Sequence, residues 1–537
     1  MGYLSLNTQT KSLSLASFIL GLSYLVSAFL GFFRDRILAS EFGATRQLDI
    51  YYAAFRLPDL VATIFIFGAI TAAIIPVFSQ YLTKSSKMAW DFTANLLNLF
   101  IIILLPFCIL MIALAPYLIS IIAPGFSYQE RETAAVLLRI MFLGPIILGL
   151  SNVISSILQV FQKFLITSLT PIVYNLGIIF GALFLVPKLG LMGLAFGVVL
   201  GALFHLLVQL PAFWSCGFKL KPILHLRDEG FKKVIKLMLP RSFALAVSQL
   251  NLIFITSLAS TLAPGAITVF NLASNLSGTL TNLLAVSIST VVFPALSLAF
   301  AQKAQARFRD NFSLVVRGFI FLILPLSCLL FIFREGVIKL IFGTGSFQAL
   351  DIKLTAACLG IFCLGMLPQG LILILVKAFY AIGNTKLPAL ISSLAVVFNV
   401  VLSFLLLNTE RMFHPLSFLT RGDIDLNRSA ILILPLAFSL ASFFQCVLLW
   451  WSLKRKMKAI EFHSINLSLL KTFLSAISLI LFSSLVVFFT NSYNWLLSLF
   501  LGSTVGVLAF LLAAWILRSI ELKMIFASIG RLFNFKR

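Results

Sequence analysis

Long uncharged apolar stretches recur along the whole chain of 537 residues. Each approaches the roughly 20 residues that a helix needs to cross the hydrocarbon core of a bilayer. Short polar segments separate them, so the pattern predicts an all-α polytopic membrane protein with fourteen transmembrane helices. These helices are expected near residues 13–38, 50–81, 90–115, 133–160, 165–186, 190–216, 232–261, 266–300, 310–341, 354–381, 387–407, 430–453, 467–489 and 494–517.

Basic residues are concentrated in alternate connections between these helices. With a cytoplasmic N-terminus, the inner segments contain Lys84/Lys87, Lys163, Lys219/Lys221/Arg227/Lys232/Lys233, Lys303/Arg307/Arg309, Lys386, Lys454/Arg455/Lys456/Lys458 and Lys536/Arg537. The opposite loops are neutral or balanced in charge. Because lysine and arginine favour the cytoplasmic side, both termini are predicted to be cytoplasmic.

An internal repeat divides the chain. IIPVFSQYL around Pro76 resembles VFPALSLAF around Pro294, and SILQVFQKF around Phe161 resembles ILVKAFYAI around Phe379. Both pairs are 218 residues apart. The repeat predicts two parallel six-helix halves around a central cavity, residues 1–218 and 219–455, followed by residues 456–537 with two extra helices and a basic tail. Parallel halves with a site between them are a transporter architecture, in which one half rocks on the other.

Composition agrees with a membrane protein. Charged residues make up 11% of the chain and mean hydropathy is +1.08, whereas soluble domains contain roughly 25% charged residues. The net charge is +23, and the basic residues lie in short runs between apolar windows. This distribution indicates that they orient the protein in the bilayer, and we expect no nucleic-acid partner. Six cysteines and four histidines show no metal-ligand spacing. We therefore expect no metal, no cofactor and no catalytic residue, and predict that the protein is not an enzyme.

Ionisable residues nevertheless lie inside the first two apolar helices. Arg34 and Asp35 follow GFF, and Asp49, Arg56 and Pro58 lie in LDIYYAAFRLPDL. A charge within a membrane helix costs about 2.5–3.5 kcal/mol on insertion scales and is a functional candidate. Pro58 removes a backbone hydrogen bond and is a candidate hinge. Marking the outer interface is the structural alternative for the Arg34–Arg36 cluster.

Helices seven, eight and ten add further polar candidates. Arg241 and Asn251 lie in LPRSFALAVSQLN, Asn271 and Asn275 begin a polar stripe at helical spacing, and Lys377 lies in KAFYAIGNTKLP. Anchoring at the cytoplasmic interface is the alternative for Arg241, and hydrogen bonding between helices is the alternative for the stripe. A cavity biased toward positive charge would bind an anion, and arginine pairs bidentately with phosphate.

The same motifs resemble a known family. GFFRDRILASEFGA, DIYYAAFRLPDL, AIIPVF, LPRSFALAVSQLN and KAFYAIGNTKLP are similar to segments of the MurJ/MviN family of lipid II flippases. That family belongs to the multidrug/oligosaccharidyl-lipid/polysaccharide exporter superfamily and also has fourteen helices. The matching positions are Arg34, Asp35, Asp49, Arg56 and Pro58, with Lys377 where arginine is usual.

The resemblance implies export of an undecaprenyl-diphosphate-linked saccharide, lipid II, from the cytoplasmic to the outer leaflet of a bacterial inner membrane, serving peptidoglycan synthesis. The polyprenyl tail would lie in an apolar groove formed by the last two helices. Membrane lipids are expected contacts, and cell-wall synthesis or division proteins are candidate partners. No nucleotide-binding P-loop is present, so an ion gradient or the membrane potential is the expected energy source.

The chain departs from the family pattern at several charged positions. Ala28 replaces the arginine of a Ser-Arg pair, Ala62 and Thr63 replace an arginine pair, Phe67 replaces a glutamate and Asn275 an arginine. A flippase for another polyprenyl-diphosphate-linked oligosaccharide is therefore the alternative. A cation-exporting antiporter, a glycosyltransferase using Asp423 and Asp425, and a division scaffold are weaker rivals. The antiporter is weakened because Asp35 lies between two arginines, and the glycosyltransferase is weakened because GDID falls in an outer loop. The scaffold is weakened because it does not require Arg56.

Overall fold

The structure is a computed structural model that describes residues 13–65, 69–225, 227–408, 426–457, 463–490 and 494–524. All regular secondary structure in these ranges is helical. The predicted all-α membrane architecture is therefore confirmed.

The chain forms two compact units. The first comprises residues up to Thr268 together with Thr344–Phe347. Its helices are α1 Leu13–Phe42, α2 Arg46–Phe65, α3 Ala69–Lys84, α4 Ser86–Ala113, α5 Ala115–Ile122, α6 Tyr128–Met141, α7 Leu143–Val160, α8 Phe164–Phe180, α9 Val186–Leu189, α10 Leu191–Leu207, α11 Leu210–Ser215 and α12 Glu229–Ser260. A π-helical turn, Gly181–Leu185, links α8 and α9.

The second unit comprises Val269–Gly343 and the residues from Gln348 onward. Its helices are α13 Ala266–Ala301, which begins at the end of the first unit, α14 Gln305–Ile332, α15 Arg334–Phe342, α16 Ala349–Ala381, α17 Lys386–Leu407, α18 Leu426–Ser429, α19 Ile433–Lys456, α20 His463–Thr490 and α21 Trp495–Ile516. A 3-10 turn, Ala430–Leu432, precedes α19.

Helix α12 is part of the first unit because it packs along α2 and α3. The sequence repeat places the same helix at the start of the second half. The division at residue 218 reflects repetition along the chain, whereas the compact units reflect packing. The three predicted domains stay a prediction, as does the role of residues 456–537 as a lipid-tail groove.

Eleven helices in the described ranges are long and apolar enough to cross a membrane. The predicted windows near 13–38, 50–81 and 232–261 are not among them, although Leu245–Ser260 forms a shorter apolar helix. Parts of all three windows lie outside the described residues or have side chains that are not described. The count of fourteen stays a prediction.

Glycines set the spacing between α8 and α10. A Cβ added at Gly177 would lie 2.3 Å from the Cα of Gly201, and one at Gly181 would lie 2.5 Å from the Cα of Gly197. Small residues at four-residue spacing allow such close approach of membrane helices. The contact matters for the site because α8 also contains Asn175, a ligand of Arg34.

In the second unit, the last two helices pack on α14. Phe321, Leu479, Phe510 and Leu522 form a buried cluster with Ala514. Apolar contacts therefore join α14 and α20 to α21 and to the segment that follows α21. This cluster holds the C-terminal helix pair against the rest of its unit.

Candidate functional site

Helix α1 contains an ion pair inside the first unit. The Nε and Nη2 atoms of Arg34 lie 3.0 and 2.7 Å from Oδ1 of Asp35. The Asp35 side chain is 3% exposed and that of Arg34 is 24% exposed. Adjacent residues of one helix normally diverge, so the long arginine side chain folds back to reach the carboxylate. Both predicted residues therefore face protein, and their charges compensate each other.

A second contact fixes the guanidinium of Arg34. Its Nη1 donates to Oδ1 of Asn175, 3.2 Å away. The amide nitrogen of Asn175 donates in turn to the carbonyl of Pro171 at 3.0 Å and to the hydroxyl of Ser27 at 3.4 Å. Asn175 was not among the predicted site residues. The sequence offered no specific signal for it, because α8 contains other polar residues such as Thr167, Ser168 and Thr170.

Arg56 joins α2 to α12. Its Nε donates to the hydroxyl of Thr256 at 2.9 Å. One turn along α2 from Arg56, Asp59 accepts a hydrogen bond from Gln249 at 3.1 Å, and the same amide donates to Thr63 at 2.7 Å. Thr63 occupies one of the positions where the family pattern has arginine, so a neutral hydrogen bond replaces a charge there.

The two arginines belong to one electrostatic cluster. Arg34 and Arg56 both lie within electrostatic range of the Tyr52 hydroxyl, and Asp59 lies within electrostatic range of both arginines. Tyr51 and Tyr174 also lie within electrostatic range of Arg34. Two arginines and two aspartates therefore lie within electrostatic range of one another or of Tyr52 in the first unit. The binding role of Arg34 and Arg56 stays a prediction. The expected excess of positive charge does not arise from these four residues.

Tyr52 occupies a special position in this cluster. Its hydroxyl is buried and has no hydrogen-bond partner within the described part of the chain. The ring of Tyr51 packs edge-on against that of Tyr52, with ring centroids 5.4 Å apart. Buried hydroxyls are normally hydrogen-bonded, so Tyr52 offers a donor to a polar group that enters the cluster. Its sequence neighbours are apolar, and sequence reasoning did not single it out.

Asp49 lies at a different place. Its Oδ2 accepts from the backbone N–H of Gly265 at 2.7 Å, and its Oδ1 accepts from the N–H and hydroxyl of Thr268, both at 2.8 Å. The carboxylate is fully buried and caps the start of α13. A negative charge at a helix N-terminus is stabilising. The geometry gives Asp49 a structural role, and its predicted part in substrate binding stays untested.

Arg46, missed from the sequence, completes this joint. It donates to the carbonyl of Ser260 at 3.2 Å and approaches Glu130 at 3.5 Å. Gly265 has a φ of +89°, and a Cβ there would lie 2.1 Å from the carbonyl oxygen of Ala44. The loop after α12 therefore needs glycine at this position, and the joint ties α2 to that loop.

For the other predicted residues of the first unit, the structure gives burial or helix position but does not define a role. Asn251 is buried in α12, with 8% exposure. Arg241 belongs to the same helix, but its side chain lies outside the described residues, as do Phe67, Asp423 and Asp425. α2 continues through Pro58 to Phe65, so the proline does not end the helix. Its role as a hinge stays a prediction.

Three predicted residues belong to the second unit. Asn271 is buried in α13, whereas Asn275, one turn further along that helix, is exposed. Lys377 lies near the end of α16 with its Nζ 5.4 Å from the ring centroid of Phe293. A lysine ammonium over an aromatic face is a cation–π contact. Within the ranges the structure describes, no group of three His, Cys, Asp or Glu side chains could hold a metal ion.

The fold of this chain matches the folds of two solved transporter structures. It superimposes on a structure described as lipid II flippase MurJ, inward closed conformation, with a TM-score of 0.76, 23% identity, and coverage of 93% of this chain and 98% of that one. An inward-facing multidrug resistance MATE family transporter of the MOP superfamily matches with a TM-score of 0.63 and 16% identity, over 83% of this chain and 96% of the other.

Sequence comparison gives the family. The profile of the family described as lipid II flippase MurJ matches residues 38–506. A probable lipid II flippase MurJ of Buchnera aphidicola subsp. Schizaphis graminum is 30% identical over 441 residues, covering 81% of this chain and 82% of that protein. Lipid II flippase MurJ of Burkholderia cenocepacia is 29% identical over 380 residues, 68% and 73% of the two chains. The chain belongs to the MurJ family, which confirms the resemblance seen in its motifs.

Proposed function

We propose that this protein flips lipid II from the cytoplasmic to the outer leaflet of the bacterial inner membrane by alternating access, with both of its termini in the cytoplasm. Family membership supports the substrate, because the matching relatives are named lipid II flippases. The observation that carries the mechanism is the cluster of Arg34 and Arg56 within helices of a membrane protein. This activity is transport and needs no catalytic residue.

Arg34 is the primary contact for the diphosphate in this proposal. It is held by Asp35 and Asn175, so an arriving phosphate would take over the position of the Asp35 carboxylate. Arginine binds carboxylate and phosphate with the same planar fork. The Arg34–Asp35 pair would then stabilise the transporter before substrate binds. When Arg34 exchanges Asp35 for the phosphate, substrate entry would be coupled to a rearrangement of α1.

Arg56 and Tyr52 are the second part of the site. Arg56 reaches α12 through Thr256, so a phosphate that competes for its guanidinium would weaken the contact between α2 and α12. Tyr52 supplies a hydroxyl without a hydrogen-bond partner in the described structure. Lys377, Arg241, Asn251, Asn271 and Asn275 are further proposed contacts on the route of the substrate.

The lipid tail and the energy source complete the proposal. Helices α20 and α21 are strongly apolar and provide a surface for a polyprenyl chain. An ion gradient or the membrane potential would drive the cycle, since one charge moved through the potential is worth about 2.3 kcal/mol per 100 mV. Transport that responds to neither pH, sodium nor potential would exclude this coupling. Cell-wall synthesis or division proteins are proposed partners.

Complementation of a bacterium depleted of its own lipid II flippase tests the proposal. The wild-type chain is expected to restore growth and shape, whereas Arg34→Ala and Arg56→Ala are expected to fail at equal membrane levels. Arg139→Ala is the matched control, since Arg139 is exposed in α6 and makes one long contact, 3.4 Å, to the carbonyl of Ile112. Rescue by both site variants would exclude the proposed arginines. Failure of the well-expressed wild type would exclude lipid II and favour another polyprenyl-diphosphate-linked oligosaccharide.

A further inference from the structure

A charged cavity lies in the second unit, and none of the predicted site residues lines it. Its volume is about 410 Å³, and it is bounded by the end of α14, by α15, by the start of α16 and by α20 and α21. Arg334, Lys339 and Lys353 supply three positive side chains to its lining, against the single carboxylate of Glu335. The wall therefore has a positive excess, which the Arg34–Asp35 cluster lacks.

Lys339 is fixed within this wall. Its Nζ lies 4.6 Å from the ring centroid of Trp495, a cation–π distance. Gly336 lies one turn before Lys339 on α15, and a Cβ added there would lie 4.0 Å from Cε3 of the same indole. The tryptophan ring thus lies beside α15, within cation–π distance of the lysine ammonium. A lysine held in this way loses less side-chain conformational entropy when it binds a ligand.

Arg334 is also held in place. Its Nη1 donates to the carbonyl of Phe331 at 2.8 Å, and its guanidinium carbon lies 5.1 Å from the Phe331 ring centroid. A Cβ added at Gly360 of α16 would lie 3.0 Å from Cδ of Arg334, so the arginine stem packs closely on that helix. Two helices and one aromatic ring therefore define the position of this charge.

Apart from Ser498, the rest of the lining is apolar. Ile332, Ile352, Val487 and Leu499 border the cationic residues. A cavity with fixed cations beside hydrocarbon walls suits an anion that is attached to an apolar chain. A free inorganic anion would gain the charge contacts but would leave the apolar part of the cavity wet.

We propose that this cavity binds the phosphate group of an anionic membrane lipid, with Lys339, Lys353 and Arg334 as the cationic contacts and Trp495 as the supporting wall. By the predicted topology, the cavity opens toward the outer leaflet. The site does not rest on the proposed flipping of lipid II, because a resident lipid would bind in the absence of transport.

Lipid binding by the purified full-length protein tests this site. Native mass spectrometry in a non-ionic detergent would follow titration with dioleoyl phosphatidylglycerol, with dioleoyl phosphatidylcholine and inorganic phosphate as separate arms. The Lys339→Gln/Lys353→Gln variant is expected to weaken phosphatidylglycerol binding by about tenfold or more, since charge-assisted contacts are among the strong ones. Lys303→Gln/Lys386→Gln has the same change of net charge on exposed lysines outside the cavity and is expected to bind like the wild type.

A conservative variant separates charge from folding. Lys339→Arg/Lys353→Arg keeps both charges and is expected to restore binding, with thermal unfolding of all variants compared without added lipid. Equal loss in the control variant would mean general attraction of lipids and would overturn the site. Equal binding of phosphatidylcholine would exclude charge selection. Inorganic phosphate that binds as tightly as phosphatidylglycerol would exclude a lipid-specific site in favour of a free anion.

Discussion

At the scale of single residues, the site is neutral where the motifs predicted a positive field. Arg34 and Asp35 were both predicted, but their direct ion pair depends on side-chain conformation. The pair stabilises a buried arginine that would otherwise lack a counter-charge. In the proposed mechanism, a substrate phosphate would compete with this internal carboxylate for Arg34, so the strength of substrate binding would depend on the difference between two similar interactions.

Replacement of Arg34 by lysine is expected to reduce flipping by roughly tenfold. Lysine keeps the charge but cannot contact Asp35, Asn175 and a phosphate through one planar fork. Accessibility of lipid II to an externally added cleaving enzyme, in cells that depend on the variant, would measure the effect. Arg139→Lys is the control. Full activity of Arg34→Lys would mean that charge alone suffices.

Replacement of Asp49 by asparagine is expected to affect folding more than transport. The change removes the charge from a carboxylate that accepts three hydrogen bonds at the start of α13. Loss of such a buried cap costs about 3 kcal/mol. Thermal unfolding should show a lower midpoint, while flipping per folded molecule stays near that of the wild type. A stable variant without activity would instead return Asp49 to the substrate site.

At the scale of elements, the close contact of α8 and α10 positions Asn175. The glycines at 177, 181, 197 and 201 are all on the facing sides of the two helices. Since Asn175 lies one half-turn from Gly177, a shift of α8 would move the amide away from Arg34. Packing between two apolar helices is thereby coupled to the geometry of a charge in α1.

Gly177→Ala is expected to destabilise the protein and to lower activity together. The added methyl would lie 2.3 Å from the backbone of Gly201, a distance that forces the helices apart. Overpacking of this kind costs about 1–3 kcal/mol. Gly31→Ala is the matched control, because a Cβ there meets nothing within 4 Å. Thermal unfolding and complementation would be compared, and equal behaviour of both variants would contradict the close contact.

At the scale of the whole molecule, a buried ion pair joins the C-terminal segment to α14 within the second unit. Arg317 lies 2.6 Å from Glu521, which also accepts hydrogen bonds from Ser468 at 2.8 Å and Ser519 at 2.6 Å. Glu521 follows the last membrane helix. Burial raises its pKa, but the hydrogen bonds from Ser519, Ser468 and Arg317 outweigh burial, so the pKa lies below its ordinary value.

This pKa shift predicts an acid-sensitive contact. A carboxyl group whose folded pKa is lowered contributes stability above its unfolded pKa, and this contribution is lost as pH falls through the folded pKa. The thermal unfolding midpoint of the wild type should therefore fall when the pH is lowered below the ordinary pKa of glutamate. Glu521→Gln should be less stable at neutral pH and should lose part of this acid dependence. Glu132→Gln, at an exposed site in α6, is the control, and parallel curves for all three proteins would contradict the contact.

Long-range partners explain which site residues escaped prediction. Arg34, Asp35 and Arg56 are recognisable in the sequence because charges are rare in apolar helices. Asn175 and Thr256, in contrast, are 141 and 200 residues from the arginines they bind. Asparagine and threonine are common in membrane helices for ordinary packing. Nothing local marks these two as ligands, and the missing hydrogen bond of Tyr52 is visible only when its surroundings are known.

The amino-acid sequence by itself determined the all-helical membrane class, the MurJ family and the two arginines of the site. Hydropathy and charge are local properties, and hydrocarbon admits few backbone structures besides the helix. Tertiary structure alone decided that Arg34 pairs with Asp35, that Asp49 caps α13 and that Lys339 lies over Trp495. The Arg34–Asp35 pair depends on how the arginine side chain folds back on its own helix. The other two depend on distances between different helices, which packing sets and no sequence window contains.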